Sequence, residues 1–258
     1  MASSHDPRQN RLLAALPAED YARLRPDLEF TPMPLGWPVY ESGVPMDHVY
    51  FPTTCMVSLL YVMENGGAAE IAITGNEGLV GISLFMGGDS TSSRAVVQSA
   101  GECYRLAAAI LKKEFDQGGS LQLLALRFTQ ALIAQMVQTA ACNRHHTLEQ
   151  QLCRWLLLSL DRLPGNEVTM TQQLIANMLG VRRVGVTAAA GKLQKDGLIR
   201  YSRGRITVLN RRKLERRACE CYRVVKKELQ RLATTEFPLP AGVKRGLAGV
   251  TALAVPAS

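Results

Sequence analysis

Residues 168–209 read VTMTQQLIANMLGVRRVGVTAAAGKLQKDGLIRYSRGRITVL. Thr169 or Thr171 can cap a first helix, because a hydroxyl at that point satisfies a free amide of the first turn. Leu174, Met178 and Leu179 fall on one face of that helix and are expected to point to a core. Gly180 can end it in the left-handed conformation that glycine adopts without steric cost. A second helix then opens on Arg182 and Arg183, with Val186, Ala190 and Leu193 at helical spacing as its buried stripe. The residues 199–208, IRYSRGRITV, place β-formers on either side of Arg203-Gly204-Arg205 and read as a two-stranded ribbon with those residues at its tip. Helix, turn, helix and ribbon in this order describe a winged helix-turn-helix, with double-stranded DNA as the expected partner.

The outward face of the second helix carries Arg183, Val184, Thr187, Ala188 and Gly191. All but the arginine are small, so the helix can sit close to a groove floor. A basic pair at a helix N-terminus is disfavoured by the helix dipole, and is easier to understand if it meets an anion or a base edge. Arginine donates in a planar fork that matches the paired acceptors of guanine in the major groove. On the wing, Arg203 and Arg205 are expected to meet phosphates, which fix register but carry no sequence information. The expected contact set is Thr171 and Gln172 at the opening of the first helix, Arg182, Arg183, Val184, Thr187, Ala188 and Lys192 on the second, and Arg203 and Arg205.

At 258 residues and 47% hydrophobic, the chain suits one large domain or two ordinary ones. The net charge of +8 is unevenly placed. Lys and Arg recur through residues 182–231, opposed there only by Asp196, Glu215, Glu220 and Glu228. That asymmetry fits nucleic-acid binding. No apolar run approaches the ~18 residues of a membrane span. The first residues lack the long apolar segment of a signal peptide, so a cytoplasmic protein with reduced cysteines is expected.

Four regions follow from the patterning: 1–117, 118–146, 147–232 and 233–258. The first opens with a short helix within residues 1–25. Short β-rich runs then follow over 26–116, at 38–40, 49–51, 56–62, 70–74, 93–99 and 103–106, separated by Gly, Pro, Asn and Ser. They suggest an antiparallel β-roll or barrel. From Leu121 to about Cys142 there is neither proline nor glycine. Leu121, Leu124, Phe128, Leu132, Gln135, Met136 and Thr139 recur at helical steps, while Leu123, Leu126, Ile133 and Val137 lie off that stripe. One face can pack on the β-roll and another on a partner chain, which gives a homodimer as an expectation. A helix over about 148–163, a Pro164-Gly165-Asn166 break, and a basic helix over about 211–232 complete the ordered part. The tail beyond is rich in Gly, Ala and Pro and is expected to be disordered. The fold class is α+β.

The segment 169–199, TMTQQLIANMLGVRRVGVTAAAGKLQKDGLI, resembles the DNA-binding helices of the cyclic-AMP receptor protein/FNR (CRP/FNR) family of bacterial transcription regulators. The segment 75–97, GNEGLVGISLFMGGDSTSSRAVV, is more weakly similar to the part of that family that holds cyclic nucleotide. The resemblance spans roughly residues 10–215. It implies a cyclic-nucleotide-binding-like jelly roll, a central dimerisation helix and a C-terminal winged helix-turn-helix. It also implies a homodimer on DNA, with RNA polymerase as a further partner. Family base-readers map onto Arg183, Val184 and Ala188. The effector pocket maps onto Gly81, Ile82, Thr91, Ser92 and Arg94. Nucleotide-binding members carry a glutamate just after the glycine and an Arg-Ser facing the cyclic phosphate. Here the glycine is followed by Ile82, and Thr91-Ser92 stands in the Arg-Ser place. Arg94 is three positions on, which along a strand is the opposite face. A buried cyclic phosphate without its counter-charge is costly, so cyclic AMP is not expected to bind. No cysteine precedes Cys55, so the family's N-terminal iron–sulfur sensor is not carried over.

Cys142 and His145 are three apart and share a helix face, and such N/S ligands suit zinc or a redox metal. No third or fourth ligand stands nearby in sequence, so Cys142, His145 and His146 read as a half-buried cysteine beside exposed imidazoles, and no metal is expected. Cys219-Glu220-Cys221 on one helix would splay its thiols by about 100° and reads as structural rather than as a redox switch. Asp47, His48, Ser90, Ser92 and Ser93 offer nucleophile chemistry no supporting elbow motif, and the glycines of 75–88 lack a P-loop ending, so neither an enzyme nor a cofactor is expected. The alternative function is a ligand- or redox-sensing module whose helix-turn-helix mainly contacts protein. Salt separates the two, since binding through phosphates weakens steeply as salt rises.

Overall fold

The computed structural model describes residues 5–233. The N-terminal part forms two short helices rather than one, α1 (Arg11–Ala14) and α2 (Ala18–Leu24). Asn10 caps α1 and Pro17 stands at the start of α2, where its fixed φ suits the opening of a helix. The β-roll follows as β1 (Glu29–Met33), β2 (Pro38–Tyr40), β3 (His48–Pro52), β4 (Met56–Val62), β5 (Ala68–Thr74), β6 (Arg94–Ser99) and β7 (Gly101–Ala107). It consists of two antiparallel sheets ordered β1-β7-β3 and β2-β6-β4-β5. Strand β1 was not among the expected runs, because Pro32 and the exposed Glu29 and Phe30 hide its pattern. It lies at the edge of its sheet, where a proline is tolerated. Residues 108–116, expected to belong to the β-rich region, form helix α3 (Ala108–Asp116).

Helix α4 (Ser120–His145) covers the expected long helix and extends it at both ends. Its stripe Leu121, Leu124, Phe128 and Leu132 is buried in one core with Leu12, Leu13, Phe51, Val57, Val97 and Leu106 of the roll. Gly78 lets the Phe128 ring approach its backbone, since an added Cβ would lie 1.9 Å from that ring. Leu126, Ile133 and Val137 are exposed along another face of α4.

Helix α5 (Leu148–Leu160) opens with a capping box in which Thr147 accepts from the Gln150 amide and the Gln150 side chain accepts from the Thr147 amide. Every residue from Gln151 to Leu160 is buried. The helix is enclosed because it sits between the β-roll and the helix-turn-helix segment. Met56, Leu60 and Ile73 of β4 and β5 share a second core with Trp155, Leu156, Ile175 and Leu193. Strand β4 therefore buries both faces, with Val57 and Leu59 on the roll side, which explains its nearly unbroken apolar run MVSLLYV. A buried ion pair crosses the same junction, with Arg162 Nε 2.6 Å from Glu77 Oε1.

Beyond the Pro-Gly-Asn break come β8 (Glu167–Thr169), α6 (Gln172–Leu179), α7 (Arg183–Lys195), β9 (Ile199–Ser202) and β10 (Arg205–Val208). The wing has three strands, ordered β8-β10-β9, not two. Residues 167–169 are too few to show alternation, and pair only because β10 offers a free edge. The basic helix expected over 211–232 is two helices, α8 (Arg211–Arg217) and α9 (Glu220–Ala233). Extended backbone at Ala218 breaks them, so that Leu214 packs with the α5 core while Cys219 and Cys221 reach Cys142 on α4. The remainder of the expected tail, 234–258, lies outside the described residues. Among the described residues no helix is long and apolar enough to cross a membrane.

Candidate nucleic-acid interface

Of the two candidate caps, Thr171 is the one used: its hydroxyl accepts from the Leu174 amide, while Thr169 lies in β8. In α6 the buried residues are Ile175, Ala176, Met178 and Leu179. Leu174, expected in the core, is exposed. The helix is short and its apolar arc is set by α7 and β5 packing on it together, which shifts the buried face by one residue. Gly180 takes the left-handed conformation at φ 65°, ψ 35° and ends α6 as expected.

Arg182 is the N-cap of α7 and Arg183 its first residue, with no acidic side chain in the first turn to offset them. Both are exposed. Val186, Ala190 and Leu193 are buried as expected, and Arg183, Val184, Thr187, Ala188 and Gly191 all face outward. Val184 is 73% exposed, an apolar side chain presented to solvent at the helix start. A Cβ on Gly191 would meet nothing within 4 Å. The face is shallow and open.

The candidate residues are joined into one surface. Thr187 Oγ1 lies 2.6 Å from Gln172 Oε1 and 3.1 Å from the Arg183 carbonyl oxygen, two acceptors within reach of its one proton, which ties the opening of α6 to α7. The Met170 amide donates to the Gly204 carbonyl at 2.6 Å, and Tyr201 Oη donates to the Met170 carbonyl, which ties the wing to the start of α6. The wing turns through Arg203 and Gly204, both at positive φ, 50° and 76°. This is the backbone that a two-residue hairpin requires, and it holds Arg203 at the tip. Arg205 is exposed and lies 3.2 Å from Glu167 of β8. Lys192 is likewise drawn toward the protein, with its ammonium 2.7 Å from Glu149 of α5. Arg217 joins the same carboxylate. Burial pushes the Glu149 carboxyl up, but Lys192 and Arg217 outweigh it and hold the group below its ordinary range. Glu149 and Glu167 bear on this surface and were invisible as site residues, because their partners are remote in sequence.

The effector-pocket candidates sit in the roll. Gly81 is left-handed at φ 112° and opens a 3-10 turn, Ile82–Phe85, in which Ile82 packs against the roll core. Thr91 and Ser92 lie in the turn before β6 rather than on the strand, and Arg94 is the first residue of β6. The argument from alternating strand faces therefore does not apply to Thr91 and Arg94. What occupies Arg94 instead is an ion pair, its Nε 3.0 Å from Glu41 Oε2. The Thr91 carbonyl accepts from the Gly43 amide and the Ser92 carbonyl from Ser42 Oγ.

A family model for the Crp-like helix-turn-helix domain matches residues 150–217, which span α5 to α8. The global nitrogen regulator of Synechococcus elongatus is 24% identical over 188 residues, covering 68% of this chain and 83% of that protein. Residues 150–217 thus belong to the Crp-like helix-turn-helix domain family. Solved structures of the type share its fold. A crp/fnr-family protein from Eubacterium rectale superposes with a TM-score of 0.64 at 16% identity, over 81% of this chain and 98% of that one. FixK2 from Bradyrhizobium japonicum gives 0.63 at 16%, over 74% and 98%. The chain thus pairs a roll of the fold seen in those crp/fnr-family structures with a Crp-like winged helix-turn-helix.

Proposed function

We propose that this CRP/FNR regulator binds double-stranded DNA as a homodimer, reads sequence through the first turns of α7, and does not take cyclic AMP in its roll. The observation that carries the reading is the continuous open surface from Arg183 through Thr187, Gln172 and Thr171 to the wing tip. It pairs an arginine fork and an exposed Val184 with small residues along the rest of the helix face. An arginine at the head of such a helix can meet guanine, and Val184 can touch a thymine methyl. Arg203 at the tip adds phosphate contact. Lys192, paired to Glu149, reaches phosphate only by leaving that partner. The exposed Leu126, Ile133 and Val137 of α4 supply the dimer contact, and the two-fold pair of α7 helices meets half-sites one helical turn apart, ~34 Å. On this reading the protein works in the cytoplasm.

The test is footprinting of the purified protein across its genome's DNA, followed by a salt titration on a protected fragment. Discrete protected sites with affinity falling steeply as salt rises are expected. Absence of protection, or binding indifferent to salt, would favour a helix-turn-helix that contacts protein.

A further inference from the structure

Three separated parts of the chain converge where α4 ends. Cys142 is in the last turn of α4, and His146 is its C-cap. Cys219 lies in the break between α8 and α9, and Cys221 is in the first turn of α9. One nitrogen or sulfur atom from each lies within 4.8 Å of the other three. Cys142 Sγ is 3.5 Å from Cys219 Sγ, and Cys221 Sγ is 3.4 Å from His146 Nδ1. The cysteines are buried and the histidine half-buried. The sequence pairing of Cys142 with His145 does not form: His145 is exposed and His146 turns in instead. The third and fourth ligands, absent from the neighbouring sequence, arrive from the far end of the DNA-binding segment.

We propose that these four side chains form a Cys3His zinc site that fastens α9 to the end of α4. Tetrahedral zinc, with Zn–S of about 2.3 Å and Zn–N of about 2.0–2.1 Å, places neighbouring ligand atoms about 3.5–3.8 Å apart. The two separations above lie at that scale. Sulfide-bridged iron clusters spread their cysteines over several metal centres, so a set gathered this tightly suits a single ion. The surroundings are those of a metal site. His146 Nε2 is 3.3 Å from Glu220 Oε1, so it carries the ring proton and donates outward, which leaves the Nδ1 lone pair facing the sulfurs. Gln138 Nε2 lies 3.1 Å from Cys221 Sγ and donates to it. Gln151 Nε2 donates to the His146 carbonyl at 2.9 Å and to that of Cys142 at 3.4 Å, which holds the chain between two ligands. Packing alone would be served by any small apolar residues, and does not call for a histidine ring oriented by a carboxylate. On binding, the three thiols release their protons to solvent and the ion takes three thiolates and one neutral imidazole. The buried Arg154 guanidinium, which donates to Thr139 one turn before Cys142 on α4, is a cation available to offset the excess negative charge.

The site would lock the last helix of the DNA-binding segment to the central helix, at the point where Thr147 starts α5. The test uses the full chain, purified anaerobically from cells grown with zinc. Elemental mass spectrometry should give one zinc per chain. The metal-free protein, titrated with Co²⁺ under reducing conditions, should develop the strong visible bands and sulfur-to-metal charge transfer of a tetrahedral thiolate site. Cys142→Ser and Cys221→Ser should each lower zinc affinity at least tenfold, with His145→Ala unchanged. If the serine variants do not fold, a thiol-blocking mercurial added to the wild-type protein should release one zinc per chain to a chromogenic chelator. Zinc well below one per chain with a Co²⁺ spectrum lacking charge transfer overturns the proposal. So does a mercurial that releases none, or a Cys142–Cys219 disulfide in the anaerobic protein. Iron in place of zinc overturns the identity of the ion.

Discussion

Arg183 and Arg203 differ in what they can reach. Arg183 opens α7 beside the exposed Val184, whereas Arg203 stands at a hairpin tip. Losing a bidentate base contact costs about 1–3 kcal/mol and relaxes preference at one position, while losing a phosphate contact weakens all sequences alike and lowers the salt slope by about one unit. Binding-site selection should therefore give Arg183→Ala a broadened motif and Arg203→Ala an unchanged motif with weaker binding. A changed motif in Arg203→Ala would mean that the wing reads bases. In the roll, the proposed reading puts Ile82 where the family carries an acid, and Arg94 is paired with Glu41. Calorimetry with cyclic AMP should detect no binding, and a micromolar Kd would mean that Arg94 leaves Glu41 for the phosphate. At this scale the sequence revealed side chains whose position follows from helical period alone: Arg183, Val184, Val186, Ala188 and Leu193. It could not reveal Glu41, Glu149 or Glu167, nor the gathering of Cys142 with Cys219 and Cys221. Those depend on which distant element folds back.

At the scale of elements, α4 leaves Leu126, Ile133 and Val137 exposed on a face that none of the described residues buries. Leu132, by contrast, is only 2% exposed and belongs to the roll core, so its substitution would report folding rather than association. Sedimentation at micromolar concentration should show a dimer for the wild type and a monomer for Val137→Glu. A wild-type monomer, or a Val137→Glu dimer, would remove α4 as the interface. A second element-scale expectation concerns the seam between β5 and α5. Glu70 is buried there, accepting from Ser58 and from Trp155 Nε1 at 3.1 Å, with Arg154 and Arg162 as the charges facing it. Burial pushes its carboxyl up to about 7, against the lowering effects of Ser58, Arg154, Trp155 and Arg162. The folded state thus holds this proton more tightly than the unfolded chain. The stabilisation is complete below about pH 4.5, is lost as pH rises from there to about 7, and amounts to about 3 kcal/mol. Denaturant unfolding of Glu70→Gln should show a flatter pH profile than the wild type over that window, and an unchanged slope would exclude Glu70 as its source. The break between α8 and α9 was illegible in sequence for a related reason. Both halves are good helix formers, and only their packing against different partners, α5 and α4, parts them.

Over the described residues, the roll, the central helix and the helix-turn-helix segment are held by two apolar cores that meet at β4 and β5, with α5 closing the second. The order of parts was readable from turn spacing, from the proline-free run of α4 and from the Pro-Gly-Asn break. The seam was not, since the outward residues of β4 look like any buried strand until α5 covers them. On the proposed reading the α7 helices are set by the central helix of a dimer, so the DNA target should carry two-fold symmetry. Selection of random duplexes by the purified full-length protein tests this most directly. The expected result is enrichment of an inverted repeat with half-sites one helical turn apart, ~34 Å, relaxed at one position of each half-site in Arg183→Ala and reduced to single half-sites in Val137→Glu. Recovery of no common sequence, or of the same motif from wild type and Arg183→Ala, would contradict it.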